Sequence, residues 1–141
     1  MTATATLTGR CLCGAVTYEA GEPLMSALCH CEDCQRASGS PYSLNVVVTA
    51  DGFALQGEEH LKTFETTGTD TGLPRQRVFC AECGSTLLTY LEEMEGMVVL
   101  KAGTLDDPSR ITPELELWSE RAQPWLAGDA ERGVMPRGLE T

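Results

Sequence analysis

Cys29-His30-Cys31-Glu32-Asp33-Cys34 places three thiols within six residues. The C-x-C half sets two sulfurs on one side of a bent extended segment. The C-x-x-C half lets a tight turn bring in the third. These are ligand spacings of zinc sites, and thiolates are the ligands a soft tetrahedral ion prefers. Outward from this segment lie Cys11 and Cys13 upstream and Cys80 and Cys83 downstream, so seven cysteines fall into groups of two, three and two. An odd count leaves one thiol over in any disulfide scheme. The Thr/Ala-rich start, Met1 to Thr8, has neither the basic nor the apolar region of a secretory signal. Metal ligation in a reducing, cytoplasmic setting is therefore expected, with disulfides the weaker alternative.

The outer groups make a complete set. Cys11, Cys13, Cys80 and Cys83 supply four thiolates from two distant knuckles, and each knuckle is followed by glycine (Gly14, Gly84). A closed site of this kind staples remote parts of a chain together, and its reading is structural. Cys29, Cys31 and Cys34 have no fourth thiol. Zinc held there keeps one position for water or a ligand, the mark of a catalytic site. His30, between two ligands on an extended segment, is expected to point away from the metal and to form a hydrogen bond. The alternative is a second closed site completed by Glu32, Asp33 or His60, although His60 lies in a polar turn and reads as solvated.

The 141 residues suit a single, mainly β domain over residues 1–127, followed by a loosely packed tail at 128–141. Strands are expected over Ala15–Glu19, Tyr42–Thr49, Phe53–Gln56, Leu61–Thr66, Arg75–Phe79 and Glu114–Trp118. Thr86–Leu91 and Met97–Ala102 read as a hairpin, and residues 67–74 as a loop. Glu32 to Ser38 suits one or two helical turns closed by Gly39, with Cys34 near the helix N-terminus, where the backbone dipole favours a thiolate. Ten basic residues against 21 acidic ones give a formal charge of −11. Such a surface repels nucleic-acid phosphate and anionic lipid, and no apolar run is long enough for a transmembrane helix.

Four stretches together resemble the glutathione-dependent formaldehyde-activating enzyme family: GRCLCGAVTYE (9–19), CHCEDCQRASGSPY (29–42), FCAECGSTLLTY (79–90) and KAGTLDDPS (101–109). The resemblance runs from about Gly9 to Trp125. It implies a β-tent fold of several small, coiled antiparallel sheets, a structural zinc on Cys11, Cys13, Cys80 and Cys83, and a catalytic zinc on Cys29, Cys31 and Cys34. The implied activity is addition of the glutathione thiol to formaldehyde, a carbon–sulfur lyase reaction with a small-molecule thiol and aldehyde as partners. Relatives often carry His where this chain has Glu116, so a pocket-facing Glu116 would imply a different substrate.

The chemistry suits those partners. A thiol with a pKa of roughly 8.5 is mostly protonated at neutral pH, and an open zinc position would make it a thiolate and hold it beside the aldehyde. Ser38, Gly39 and Ser40 either donate hydrogen bonds to substrate or simply cap the short helix. Lys101 and Arg36 are candidates for offsetting the acidic field. A non-catalytic zinc module, with both metals structural and the surface engaging a partner, is the reading from another class.

Overall fold

Runs of β-branched and apolar residues punctuated by glycine and proline favour strands joined by tight turns. The computed structural model describes residues 7–138 and bears this out. Its strands are β1 (Leu7–Arg10), β2 (Thr17–Ala20), β3 (Met25–Cys29), β4 (Ser43–Thr49), β5 (Ala54–Gln56), β6 (Leu61–Thr67), β7 (Pro74–Cys80), β8 (Thr86–Leu91), β9 (Met97–Lys101), β10 (Leu115–Leu117) and β11 (Gly133–Met135). The helix α1 spans Glu32–Ser38. The protein is thus mainly β.

The strands form two sheets among the described residues. One is three-stranded, in the order β1-β2-β5. The other is eight-stranded, in the order β11-β10-β3-β4-β9-β8-β7-β6. Pairing is antiparallel except at one edge, where β10 runs parallel to both β3 and β11. Residues 133–135, within the expected tail, therefore pair in register with β10.

Side-chain alternation explains the layers. Val46, Val48, Leu88, Val98 and Leu100 of the large sheet pack on Leu7, Tyr18 and Ala20 of the small one, forming the main core. Gly9 of β1 lets the strand approach closely: a Cβ there would sit 2.6 Å from the Thr104 carbonyl oxygen and nearer still to the Tyr18 ring.

The other face of the large sheet is partly buried. By register it carries Cys29 opposite Ser43, Ala27 opposite Asn45, Asn45 opposite Lys101, Thr89 opposite Val99 and Arg77 opposite Thr89. Helix α1 packs against β4 on this side. The loop after β6 is tied to the start of α1: the Thr69 amide and hydroxyl donate to Asp33 (2.8 and 2.7 Å), and the Glu32 amide donates to Asp70 (3.1 Å). Among the described residues, no helix is long and apolar enough to cross a membrane.

Candidate metal centres

The four-cysteine cluster joins the ends of two sheets. Cys11 follows β1, and the Gly14 amide turns back to its carbonyl (3.2 Å). Cys80 ends β7, where the Gly84 amide does the same (2.8 Å). These turns carry Cys13 and Cys83 toward their partners, and the four sulfurs lie within 4.8 Å of one another. Cys11 is buried, yet the Val16 amide, 3.3 Å from its sulfur, helps bring the thiol below its ordinary value. At Cys83 the Ser85 hydroxyl (3.3 Å) and amide lower the thiol to about 5. Ser85 also accepts the Leu12 amide at 2.9 Å, bridging the two knuckles. Its role has no signature in the sequence beyond following a C-x-x-C-Gly turn.

The three-cysteine cluster is built from one segment. Cys29 is the last residue of β3, Cys31 caps α1, and Cys34 lies in its first turn. Cys34 thus stands near the helix N-terminus, as expected, and its N–H donates to Cys31 Sγ at 3.3 Å. The three sulfurs lie within 4.8 Å of one another, with Cys29 and Cys34 buried. This crowding splits their acidities. Hydrogen bonding from Cys29 and Cys31, aided by the charges of Lys101 and Arg77, holds Cys34 down at about 2. The same sulfur contacts and burial push Cys29 up. Three thiolates this close need a cation to coexist, so the donor set fits a divalent metal ion, as does the four-cysteine set.

His30 makes the hydrogen bond expected of it, and Glu32, Asp33 and His60, the alternative fourth ligands, are engaged elsewhere. His30 is wholly buried, with Nε2 2.9 Å from Glu116 Oε1. Glu116 in turn accepts from Arg132 Nε at 3.1 Å. Since Leu117 pairs with Cys29 and Glu116 with Leu28, the Glu116 side chain lies on the opposite face from that of Cys29. His60 sits beside the other cluster, 3.5 Å from Glu82 and 3.6 Å from Glu59. Glu32 meets Arg36 at 3.6 Å, which leaves Arg36 largely in solvent, and Asp33 holds Thr69.

The serines after the helix close it. Ser38 Oγ donates to the Cys34 carbonyl (2.7 Å) and accepts the Ser40 amide (3.1 Å), while Gly39 takes the left-handed conformation at φ 70°. Lys101 has a different setting. Its Nζ donates to Ser43 Oγ (3.0 Å) and Asn45 Oδ1 (2.8 Å), on the face that also carries Cys29. Burial lowers its pKa while the nearby thiols oppose that shift. Arg77, unremarked in the sequence, contributes the second positive charge near Cys34.

The comparisons with known proteins agree with this arrangement. A crystal structure of a Rhodobacter sphaeroides protein overlays with a TM-score of 0.58 at 22% identity, covering 75% of this chain and 91% of that one, a likeness of fold alone. A Halomonas elongata protein provisionally named glutathione-dependent formaldehyde-activating enzyme is 28% identical over 124 residues, covering 85% of this chain and 79% of that protein. A sequence model of the family of that name matches residues 6–121, a span that includes all seven cysteines. The chain belongs to the glutathione-dependent formaldehyde-activating enzyme family.

Proposed function

We propose that the protein is a zinc-dependent enzyme of the carbon–sulfur lyase type, adding a thiol such as glutathione to formaldehyde or another small aldehyde. The observation that carries this reading is the inequality of the clusters: one gathers four sulfurs, the other three. On this reading Cys11, Cys13, Cys80 and Cys83 hold a structural zinc, and Cys29, Cys31 and Cys34 hold a catalytic one. When bound at the three thiolates, zinc supplies Lewis acidity that lowers the pKa of an incoming thiol from roughly 8.5.

The chain's own residues do the rest. Cys31 is fixed by the Cys34 amide, so the segment is ordered by the start of α1 as well as by metal. His30 and Glu116 anchor the backbone between Cys29 and Cys31 from the opposite side of the strand. Burial of Cys29 and Cys34 keeps bulk water from the thiolates, strengthening local electrostatics. The acidic surface disfavours nucleic acid and anionic membranes as partners, and the reduced thiols suit a cytoplasmic setting.

The test mixes zinc-loaded protein with formaldehyde and a panel of thiols, following hemithioacetal formation by carbon NMR. Acceleration over the spontaneous reaction for at least one thiol is expected, and its loss on selective emptying of the three-cysteine site. No acceleration for any thiol, with both clusters loaded, overturns the enzyme reading in favour of a zinc-binding interaction module.

A further inference from the structure

Acids outnumber bases 21 to 10 in this chain, so a buried cation would be expected to find a carboxylate. The buried Arg75 and the partly buried Arg132 do so, holding Glu93 and Glu116. Lys101 and Arg77 do not. Among the described residues neither has an ion pair, and by register both lie on the sheet face that carries Cys29.

The setting of Lys101 is directional. Asn45 faces it across the β4–β9 pairing, and Ser43, two residues along the same face, sits opposite Cys29. Ser43 Oγ accepts from the lysine and donates to Asn45 Oδ1 at 2.7 Å, so the three side chains form a closed ring of hydrogen bonds. An ammonium has three donors. Two are spent on neutral oxygens that leave the charge intact, and the third has no partner among the described residues. On the adjoining row of this face, Thr89 Oγ1 is buried and has no hydrogen-bond partner among the described residues, with Arg77 across from it. A cationic, donor-rich ledge thus lies beside three thiols, with no carboxylate paired to it among the described residues.

We propose that Lys101 is a catalytic residue that binds the oxygen made anionic when the thiolate adds to the aldehyde, and that Ser43 and Asn45 are positioning residues that aim its ammonium group. This rests on the enzyme reading above. In the step, the substrate thiol has already lost its proton to solvent. A thiolate lone pair forms the carbon–sulfur bond, and the carbonyl π pair moves onto oxygen. The alkoxide accepts a hydrogen bond from Lys101 and is then protonated by water, giving the hemithioacetal. Charge develops only at the oxygen as the bond forms, so a donor aimed there favours the transition state over the ground state.

Two stable ligands separate this role from charge balance among the thiols. S-(carboxymethyl)glutathione carries a carboxylate near the position of the alkoxide, and S-(carbamoylmethyl)glutathione is its neutral counterpart. Calorimetry on zinc-loaded wild type should show the carboxylate bound about ten- to a hundredfold more tightly, the range for a hydrogen bond to a charged group. Lys101→Met and Lys101→Gln should abolish that preference, Ser43→Ala should reduce it, and zinc content should stay at the wild-type level. In turnover, kcat should fall about tenfold or more while KM for the thiol holds.

A Lys101→Gln protein with unchanged preference and kcat overturns the proposal, as does loss of zinc in both lysine variants, which would assign the lysine to holding the cluster together. Should Lys101→Met fail to fold, Lys101→Gln, which can still hydrogen-bond, decides. A wild type that accelerates nothing removes the enzyme reading, and the catalytic role of Lys101 falls with it. An active wild type with an indifferent lysine variant removes only the proposal for Lys101.

Discussion

Cys80→Ser and Cys31→Ser each remove one sulfur, yet their consequences should differ sharply. Cys13 and Cys80, whose sulfurs are 3.8 Å apart, are separated by 67 residues. Closing a loop of that length costs about 4 kcal/mol, against about 1.5 kcal/mol for the five-residue separation of Cys29 and Cys34. An unfolded chain can therefore still wrap metal with the short segment, and metal that binds both states stabilises little. It cannot readily assemble the four-cysteine set. Serine at position 31 also keeps the helix cap, because its hydroxyl can accept the Cys34 amide that the thiol accepts now at 3.3 Å. We expect Cys80→Ser to cost on the order of 4 kcal/mol or more, lowering Tm by about 10–15 °C for a chain of this size. Cys31→Ser should cost on the order of 1 kcal/mol and abolish activity. Scanning calorimetry with parallel zinc analysis measures both, and a chelator titration of wild type should empty the three-cysteine site first. Equal losses of Tm in the two variants, or release of both metals in one step with unfolding, would refute the reasoning.

Three further outcomes follow from the same structure. Gly9→Ala drives a methyl group into the Thr104 carbonyl and the buried Tyr18 ring, whose hydroxyl is pinned 2.7 Å from Thr104 Oγ1; urea unfolding should show a loss of about 3 kcal/mol, and wild-type stability would contradict the packing described. Glu116→Gln leaves Arg132 without its buried carboxylate partner and should cost about 2 kcal/mol in the same assay, an unaltered midpoint counting against the network. At Glu93 burial pushes the carboxyl up, but the Arg75 guanidinium outweighs it and holds the pKa below 4.5. The pair's stabilisation is then present above the unfolded value and lost as pH falls through the lower folded one; NMR titration of Glu93 should place its midpoint below that of Arg75→Met, and coincident midpoints would speak against the pair.

Local signals were legible where local chemistry decides. Helix Glu32–Ser38 with its Gly39 cap follows from the polar run after Cys31, and the hairpin of Thr86–Leu91 with Met97–Lys101 from two apolar runs on either side of a polar turn. The division of seven cysteines into four and three was likewise visible in their spacing, and it is how the sulfurs gather. The Glu114–Trp118 stretch shows where such reading stops. Its alternation suggests leucines inward and glutamate outward, yet Glu116 is buried while Leu115 and Leu117 are partly exposed. The reason is long-range: His30 and Arg132 supply partners no local pattern announces. The same holds for the parallel pairing of β10 with β3, for β11, and for β1, where a short strand is hidden beside a cysteine knuckle. Lys101 reads as one weakly placed base until Ser43 and Asn45 surround it.

The spread of the cysteines along the chain also sets an order of events during synthesis. The three-thiol segment is complete once residue 34 has emerged, whereas Cys11 and Cys13 must wait for Cys80 and Cys83. At ordinary elongation rates that interval lasts about 2–10 s. Over that time a growing chain exposes two competing chelators: a local trio able to take metal at once, and an N-terminal pair that can only borrow sulfurs from it. Early occupation of the trio would protect against that exchange, because a satisfied Cys29, Cys31 and Cys34 would offer nothing to Cys11 and Cys13. The site that contributes least to finished stability would then guard the nascent chain, and metal scarcity would show first as misassembled protein rather than as inactive, correctly folded protein.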